Sequence, residues 1–147
     1  MENYKHILLA VDFFGENKTI INRAKDLADR YQAKLSLIHV VESMPITSVG
    51  YDRDISFDMD LMTELTAVGK KRLCELALSI GVNAEDIWIE MGSPKAEIVR
   101  IAQENKVDLI IIGSHGRHGL GLLLGSTANG VLHHAQCDVL AIRLQDN

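Results

Sequence analysis

Glycine crowds one stretch of this 147-residue chain: six of its eleven glycines fall between Gly113 and Gly130. The stretch begins Gly113-Ser114-His115-Gly116-Arg117-His118-Gly119-Leu120-Gly121 and continues Leu122-Leu123-Leu124-Gly125-Ser126-Thr127. It follows the apolar run Val107-Asp108-Leu109-Ile110-Ile111-Ile112 and leads into helix-like sequence. Backbone without side chains lets a ligand come close. A helix N-terminus adds unpaired N–H groups and partial positive charge. Together these suit an anion, most often phosphate. The candidate contacts are Gly113, Gly116, Arg117, His118, Gly125, Ser126 and Thr127. Ser126 also reads as the N-cap of the helix that follows.

Other chemistries fit less well. His115, His118, His133 and His134 suggest a metal site. The pair His115 and His118 sits in a loop, however, with no carboxylate or thiolate ligand nearby in sequence. No nucleophile–base pair stands out, which argues against a triad hydrolase. No residue is an obvious base for activating water. A phosphoacceptor pocket would need an acidic pair after the first strand and an aspartate after the third. Here the third strand ends Glu90-Met91-Gly92.

The elements that must position the glycine loop alternate along the chain. Lys5 to Val11 reads as a buried strand. Asn17 to Tyr31 carries Ile20, Ile21, Ala24, Leu27, Ala28 and Tyr31 at helical spacing. Lys34 to Val41 is a second strand. Glu42 to Ser56 has no period, contains Pro45 and Gly50, and reads as a long surface loop. Met59 to Ile80 reads as a helix with Met62, Leu65, Leu73, Leu76 and Ile80 on one face, stopped by Gly81. Asp86 to Met91 is a third strand, and Ser93-Pro94 starts a helix that runs to about Asn105. Val107 to Ile112 is the fourth strand. Ala128, Val131, Leu132 and Ala135 mark the next helix, and Asp138 to Leu144 is the fifth strand.

Strands alternating with helices predict an α/β fold with a parallel sheet covered on both faces. The unbroken apolar runs of the first and fourth strands agree. Right-handed crossovers leave few topologies. The expected one is a five-stranded doubly wound, Rossmann-like sheet of order 3-2-1-4-5. Its first and fourth strands then lie side by side at the topological switch point, where such sheets bind ligands. Asp12, ending the first strand, would face Gly113, ending the fourth. A carboxylate there can accept hydrogen bonds from a base or a ribose, while the glycine loop holds phosphates.

Composition narrows the remaining classes. The length predicts one domain, residues 1–147. A net charge of −5 argues against a broad nucleic-acid surface. No run approaches the roughly 20 apolar residues of a membrane span. The N-terminus lacks the pattern of a secretory signal. Cys74 and Cys137 read as two reduced thiols of a cytoplasmic protein rather than a disulfide framework.

Several segments in order resemble the universal stress protein family over nearly the whole chain. They are Tyr4 to Asp12, Ala33 to Val40, Gly113-Ser114-His115-Gly116 with Gly125-Ser126, and Cys137 to Arg143. The resemblance implies a cytoplasmic α/β domain, associated with stress survival and usually homodimeric. One branch of the family binds ATP or AMP; a second, closer to the founding bacterial member, does not. In the binding branch an acidic residue after the first strand and a valine ending the second hold adenine and ribose, which match Asp12 and Val40. A Gly-x-x-Gly pair and a later Gly-Ser/Thr pair hold ribose and phosphates, which match Gly113, Gly116, Gly125 and Ser126. Eight residues, Arg117 to Leu124, separate the two pairs, one fewer than is usual in the binding branch. The resemblance therefore implies an adenine-nucleotide-binding signalling module, with any divalent cation left open. It also admits, as a second reading, a nucleotide-free protein that acts through unidentified protein partners, and, as a third, a weak ATPase. The fifth strand is an apolar sheet edge, a pairing liability unless covered. The family pairs two subunits through it, which places Val139, Ala141 and Ile142 near a homodimer interface.

Overall fold

A computed structural model describes residues 3–12, 18–42, 55–114 and 125–143. The strands β1 (His6–Ala10), β2 (Lys34–Glu42), β3 (Ile87–Gly92), β4 (Leu109–Gly113) and β5 (Asp138–Ile142) form one sheet. Its order is β3-β2-β1-β4-β5 and all pairings are parallel. The helices are α1 (Lys18–Tyr31), α2 (Ile55–Ile80), α3 (Pro94–Glu104) and α4 (Ser126–His134), with a 3₁₀ turn at Ala84–Asp86. This is the doubly wound order expected from the alternation of elements. The predicted loop at 42–56 falls largely outside the described residues, and α2 begins at Ile55, before the expected Met59.

The sheet separates two cores. On one face Ile7, Leu9, Leu37 and Ile111 pack with Ile20 and Ala24 of α1 and Leu73 and Ala77 of α2. On the other, Leu8, Ile38, Ile110 and Ile112 pack with Ile98 and Ile101 of α3 and Val131 of α4. Neighbouring residues of one strand enter opposite cores, so the middles of β1 and β4 are unbroken apolar runs. The face assigned to α2 needs one correction: Leu65 is 42% exposed. The stripe that meets the sheet runs through Gly69, Leu73 and Ala77. A Cβ on Gly69 would lie 3.0 Å from Ile89 Cδ1 and 3.1 Å from His39 Cδ2, so glycine sets how closely α2 approaches.

Three helices stop by the same device. The amides of Ala33, Val82 and Val107 donate back five residues to the carbonyls of Ala28, Ala77 and Ala102, at 2.8, 2.8 and 2.9 Å. Gly81 provides the left-handed residue after α2, at φ 77°. Gln32 and Lys106 do the same after α1 and α3, at φ 53° and 55°, with no glycine signal in the sequence. Ser93 is the N-cap of α3 and Pro94 opens the helix, as the Ser-Pro pair predicts.

Polar groups, most of them part-buried, lock the amino-terminal side of the sheet. The Asp108 carboxylate accepts from the Lys5 amide at 2.9 Å and the His6 amide at 3.1 Å. The Asp108 amide donates to the His6 carbonyl at 3.0 Å, so β1 and β4 are clamped in register. The His6 ring bridges two further elements. Its Nδ1 lies 3.1 Å from the Asn105 carbonyl, which can only accept, so Nδ1 carries the proton. Nε2 then accepts from the Ser36 hydroxyl, 2.7 Å away and fully buried.

Burial holds the His6 pKa below its ordinary value, outweighing the Asn105 hydrogen bond, which favours the charged ring. Lys34 lowers it further, while Asp86 and Asp108 oppose. Protonating Nε2 would also turn the Ser36 hydroxyl away from the acceptor it now uses. The unfolded chain, with an imidazole value of about 6.5, therefore binds the proton more readily than the fold does. This contribution to stability is complete above that value and is lost as pH falls from it through the lowered folded value. In urea titrations between pH 7.5 and 5, the unfolding midpoint of the wild type should fall more steeply than that of His6→Gln. Parallel slopes would remove His6 as the cause.

Candidate functional site

The carboxyl ends of β1 and β4 part from each other. Within the sheet they are neighbours, with Leu9 opposite Ile111. Beyond it the Val11 amide donates to the Ile38 carbonyl at 2.8 Å, so the chain follows β2. Gly113 instead stands opposite Ile142, and the Ser114 amide donates to the Ile142 carbonyl at 2.8 Å, so that chain follows β5. A crevice opens where the two strands choose different neighbours.

Asp12 stands exposed on one lip. Its approach is fixed from behind: His39 Nδ1 donates to the Val11 carbonyl at 2.8 Å. Gly69 of α2 leaves room for that ring. Val40, near the end of β2, is half-buried, and its side chain packs against the core under α3.

The other lip joins β4 directly to α4. The Gly125 amide donates to the Ser114 carbonyl at 2.6 Å. Gly125, at φ −60° and ψ 154°, is the N-cap of α4, and its carbonyl accepts the first helical bond from the Asn129 amide at 2.9 Å. The reading of Ser126 as the cap is thereby corrected. A cap has extended backbone and Ser126 is already helical, so its exposed hydroxyl belongs to the first turn. Thr127 follows, half-buried. The N-cap makes no side-chain bond to the first turn, which leaves an electropositive helix end beside the crevice.

Asp12, Gly113, Gly125, Ser126 and Thr127 thus gather at one end of the sheet. Gly116, Arg117 and His118 lie outside the described residues. One residue was missed. Ser114 has its hydroxyl oxygen shielded from solvent and, among the described residues, without a hydrogen-bond partner. The only trace of it in sequence is a small polar residue ending an apolar strand.

Two clefts open at the opposite, amino-terminal side of the sheet. One, about 170 Å³, lies between the ends of α3 and α4 beside Cys137. The other, about 220 Å³, is flanked by the ion pairs Lys25–Asp29 and Lys34–Asp86. Both are smaller than the roughly 300 Å³ at which ligand pockets begin. Burial raises the Cys137 pKa, away from reactive thiolate. At the sheet edge, Leu140 of β5 is 37% exposed, Val139 and Ala141 are half-buried, and Ile142 is buried in the core.

The profile of the universal stress protein family matches residues 3–143. The chain belongs to this family. Universal stress protein A homolog 2 of Coxiella burnetii is 40% identical over 146 residues, 99% of each chain. Universal stress protein UspA from Lactobacillus plantarum superposes with a TM-score of 0.79 at 26% identity, covering 97% of this chain and 100% of that one. A universal stress protein solved in complex with cAMP shares the fold, with a TM-score of 0.57 at 22% identity over 96% of this chain and 98% of that one. This universal stress protein shares its fold with both solved structures.

The placement of the cap is open to test. Losing a true N-cap hydroxyl costs about 1 kcal/mol. Ser126→Ala should change stability by less than about 0.5 kcal/mol in chemical unfolding, as an exposed first-turn substitution does. A loss near the full capping value would contradict Gly125 as the cap.

Proposed function

We propose that this universal stress protein binds an adenine nucleotide, ATP or AMP, in the crevice between β1 and β4 and acts as a dimeric signalling module in the cytoplasm. One observation carries the reading: the end of β4 is bonded directly to an α4 amino end without a side-chain cap, across the crevice from Asp12. Asp12 and the backbone near Val40 would take the base and ribose. Gly113, Gly125, Ser126 and Thr127 would surround the phosphates, with Gly116, Arg117 and His118 completing the loop. The solved complex of a relative with cAMP is in keeping with nucleotide binding on this fold. The chain works as one domain, and its two free cysteines suit a reducing compartment. Among the described residues no helix is long and apolar enough to cross a membrane.

Mass spectrometry of the freshly purified, denatured protein should find released adenine nucleotide, and the stripped protein should bind ATP or AMP in calorimetry. Asp12→Ala should weaken binding about tenfold, the worth of one charge-assisted hydrogen bond, while the protein stays folded. Unchanged affinity would take Asp12 out of the site. A wild type that neither carries nor binds nucleotide would favour the second reading, a dimeric interaction protein acting through protein partners. The eight-residue spacing from Arg117 to Leu124 favours that reading. Steady turnover in a phosphate-release assay would mark a weak ATPase.

The homodimer would form along β5, bringing Val139, Ala141 and Ile142 near the interface, with Leu140 offering exposed apolar surface. Light scattering at micromolar concentration should give twice the chain mass, and Leu140→Lys should shift the protein toward monomer. A monomeric wild type would overturn the dimer.

A further inference from the structure

Where β1 ends, a side chain takes the place of a ladder bond. β1 and β2 pair from His6 with Lys34 to Ala10 with Ile38. One residue further on, the Val11 amide still donates to the Ile38 carbonyl at 2.8 Å. A parallel ladder would next bring the Val40 amide to the Val11 carbonyl. That carbonyl accepts from His39 Nδ1 instead, at 2.8 Å. Among the described residues no backbone bond joins Val40 to Val11. A carbonyl can only accept, so Nδ1 carries the proton. The ring is seated for this contact. His39 lies on the face of β2 that Leu37 turns to α2. Its Cδ2 stands 3.1 Å from where a Cβ on Gly69 would be.

Both peptide groups that flank Val11 are therefore anchored to β2, one by the Ile38 carbonyl and one by His39. Each peptide group is planar, so this anchoring also places the Cα of Asp12. The Val40 amide points to the same side of β2 as the Ile38 carbonyl, toward the end of β1, and the ladder stops short of it.

We propose that His39 is a positioning residue for the base end of the nucleotide: its ring occupies the Val11 carbonyl so that the Val40 amide is kept for the ligand. This role rests on the nucleotide reading. Without the ring's N–H, the Val11 carbonyl would draw the Val40 amide into one more ladder bond, and the lip that carries Asp12 would close on β2.

Two measurements on the full chain test this role. Hydrogen exchange followed by NMR without ligand reads the Val40 amide itself, which should exchange about tenfold more slowly in His39→Leu than in the wild type, because it has gained a bond. Calorimetry with adenosine, AMP and ATP reads the site. His39→Leu should bind all three about tenfold more weakly, since they share the base and ribose. His39→Asn keeps an N–H donor close to the position of Nδ1 and should restore both readings. Unchanged Val40 exchange in His39→Leu would overturn the role, and so would a loss of affinity confined to AMP and ATP. A His39→Asn protein that behaves like His39→Leu would overturn it too, since the ring's shape and not its donor would then matter. Full affinity in His39→Leu, with a wild type that binds, would overturn this role alone. A wild type that binds none of the three would overturn the nucleotide reading and this role with it.

Discussion

The middle of β1 has water on no side, and the rest of the molecule is arranged around that constraint. Ile7, Leu8 and Leu9 are fully buried, facing different helix layers in alternation. Both edges of the strand are occupied, by β2 and by β4. Parallel neighbours cannot be joined by a hairpin, so helices must carry the chain between them. Flanking β1 on both sides means winding first one way and then the other. The crevice beyond Val11 and Gly113 is the geometric residue of that reversal.

The two ends of the sheet treat polar groups in opposite ways. At the amino-terminal side, Asp108 satisfies two amides, His6 links Ser36 to Asn105, and Lys34 pairs with the buried Asp86. Tyr4 donates to Asp138 at 2.7 Å, and the bond to that carboxylate, with burial, pushes the phenol up to about 12. These bonds fix register between β1, β2, β4 and β5. At the carboxyl end the accounting stays open, with a helix start that lacks a side-chain cap and an orphan hydroxyl. A network that is satisfied rigidifies a fold, and unsatisfied groups are where a ligand has something to add.

The sheet edges also differ. On β3, Glu90 faces the Arg100 guanidinium at 3.4 Å, and Arg100 binds Glu97 and Glu104 as well. These exposed pairs add little stability. Charge on an edge strand nevertheless discourages pairing with another chain. β5 offers Leu140 instead, beside strand residues that are half-buried. β3 exposes an apolar side chain too, Met91, so the edges differ in the ion-paired Glu90 that β3 carries.

Local patterns made much of the fold legible. Unbroken apolar runs marked β1 and β4 as buried on both faces, and chirality then restricted the strand order. Ser93-Pro94 and Gly81 announced a helix start and a stop because each has a conformational preference of its own. The order in turn set Asp12 and Gly113 on facing lips. Other features had no local signal. Gln32 and Lys106 adopt left-handed backbone because the closing amide bonds of Ala33 and Val107 need it there, not because their side chains favour it. Leu65 points outward because the close approach at Gly69 decides which stripe of α2 meets the sheet. Gly125 rather than Ser126 caps α4 because the bond to Ser114 fixes where the helix begins. Sequence by itself determined which segments are strands and helices, and in what order they wind, since periodicity and turn chemistry are local. Only the tertiary structure decided which polar groups found partners. His6 meets Asn105 from 99 residues away while Ser114 meets none among the described residues, and hydrogen-bond satisfaction is a sum over the whole packed molecule.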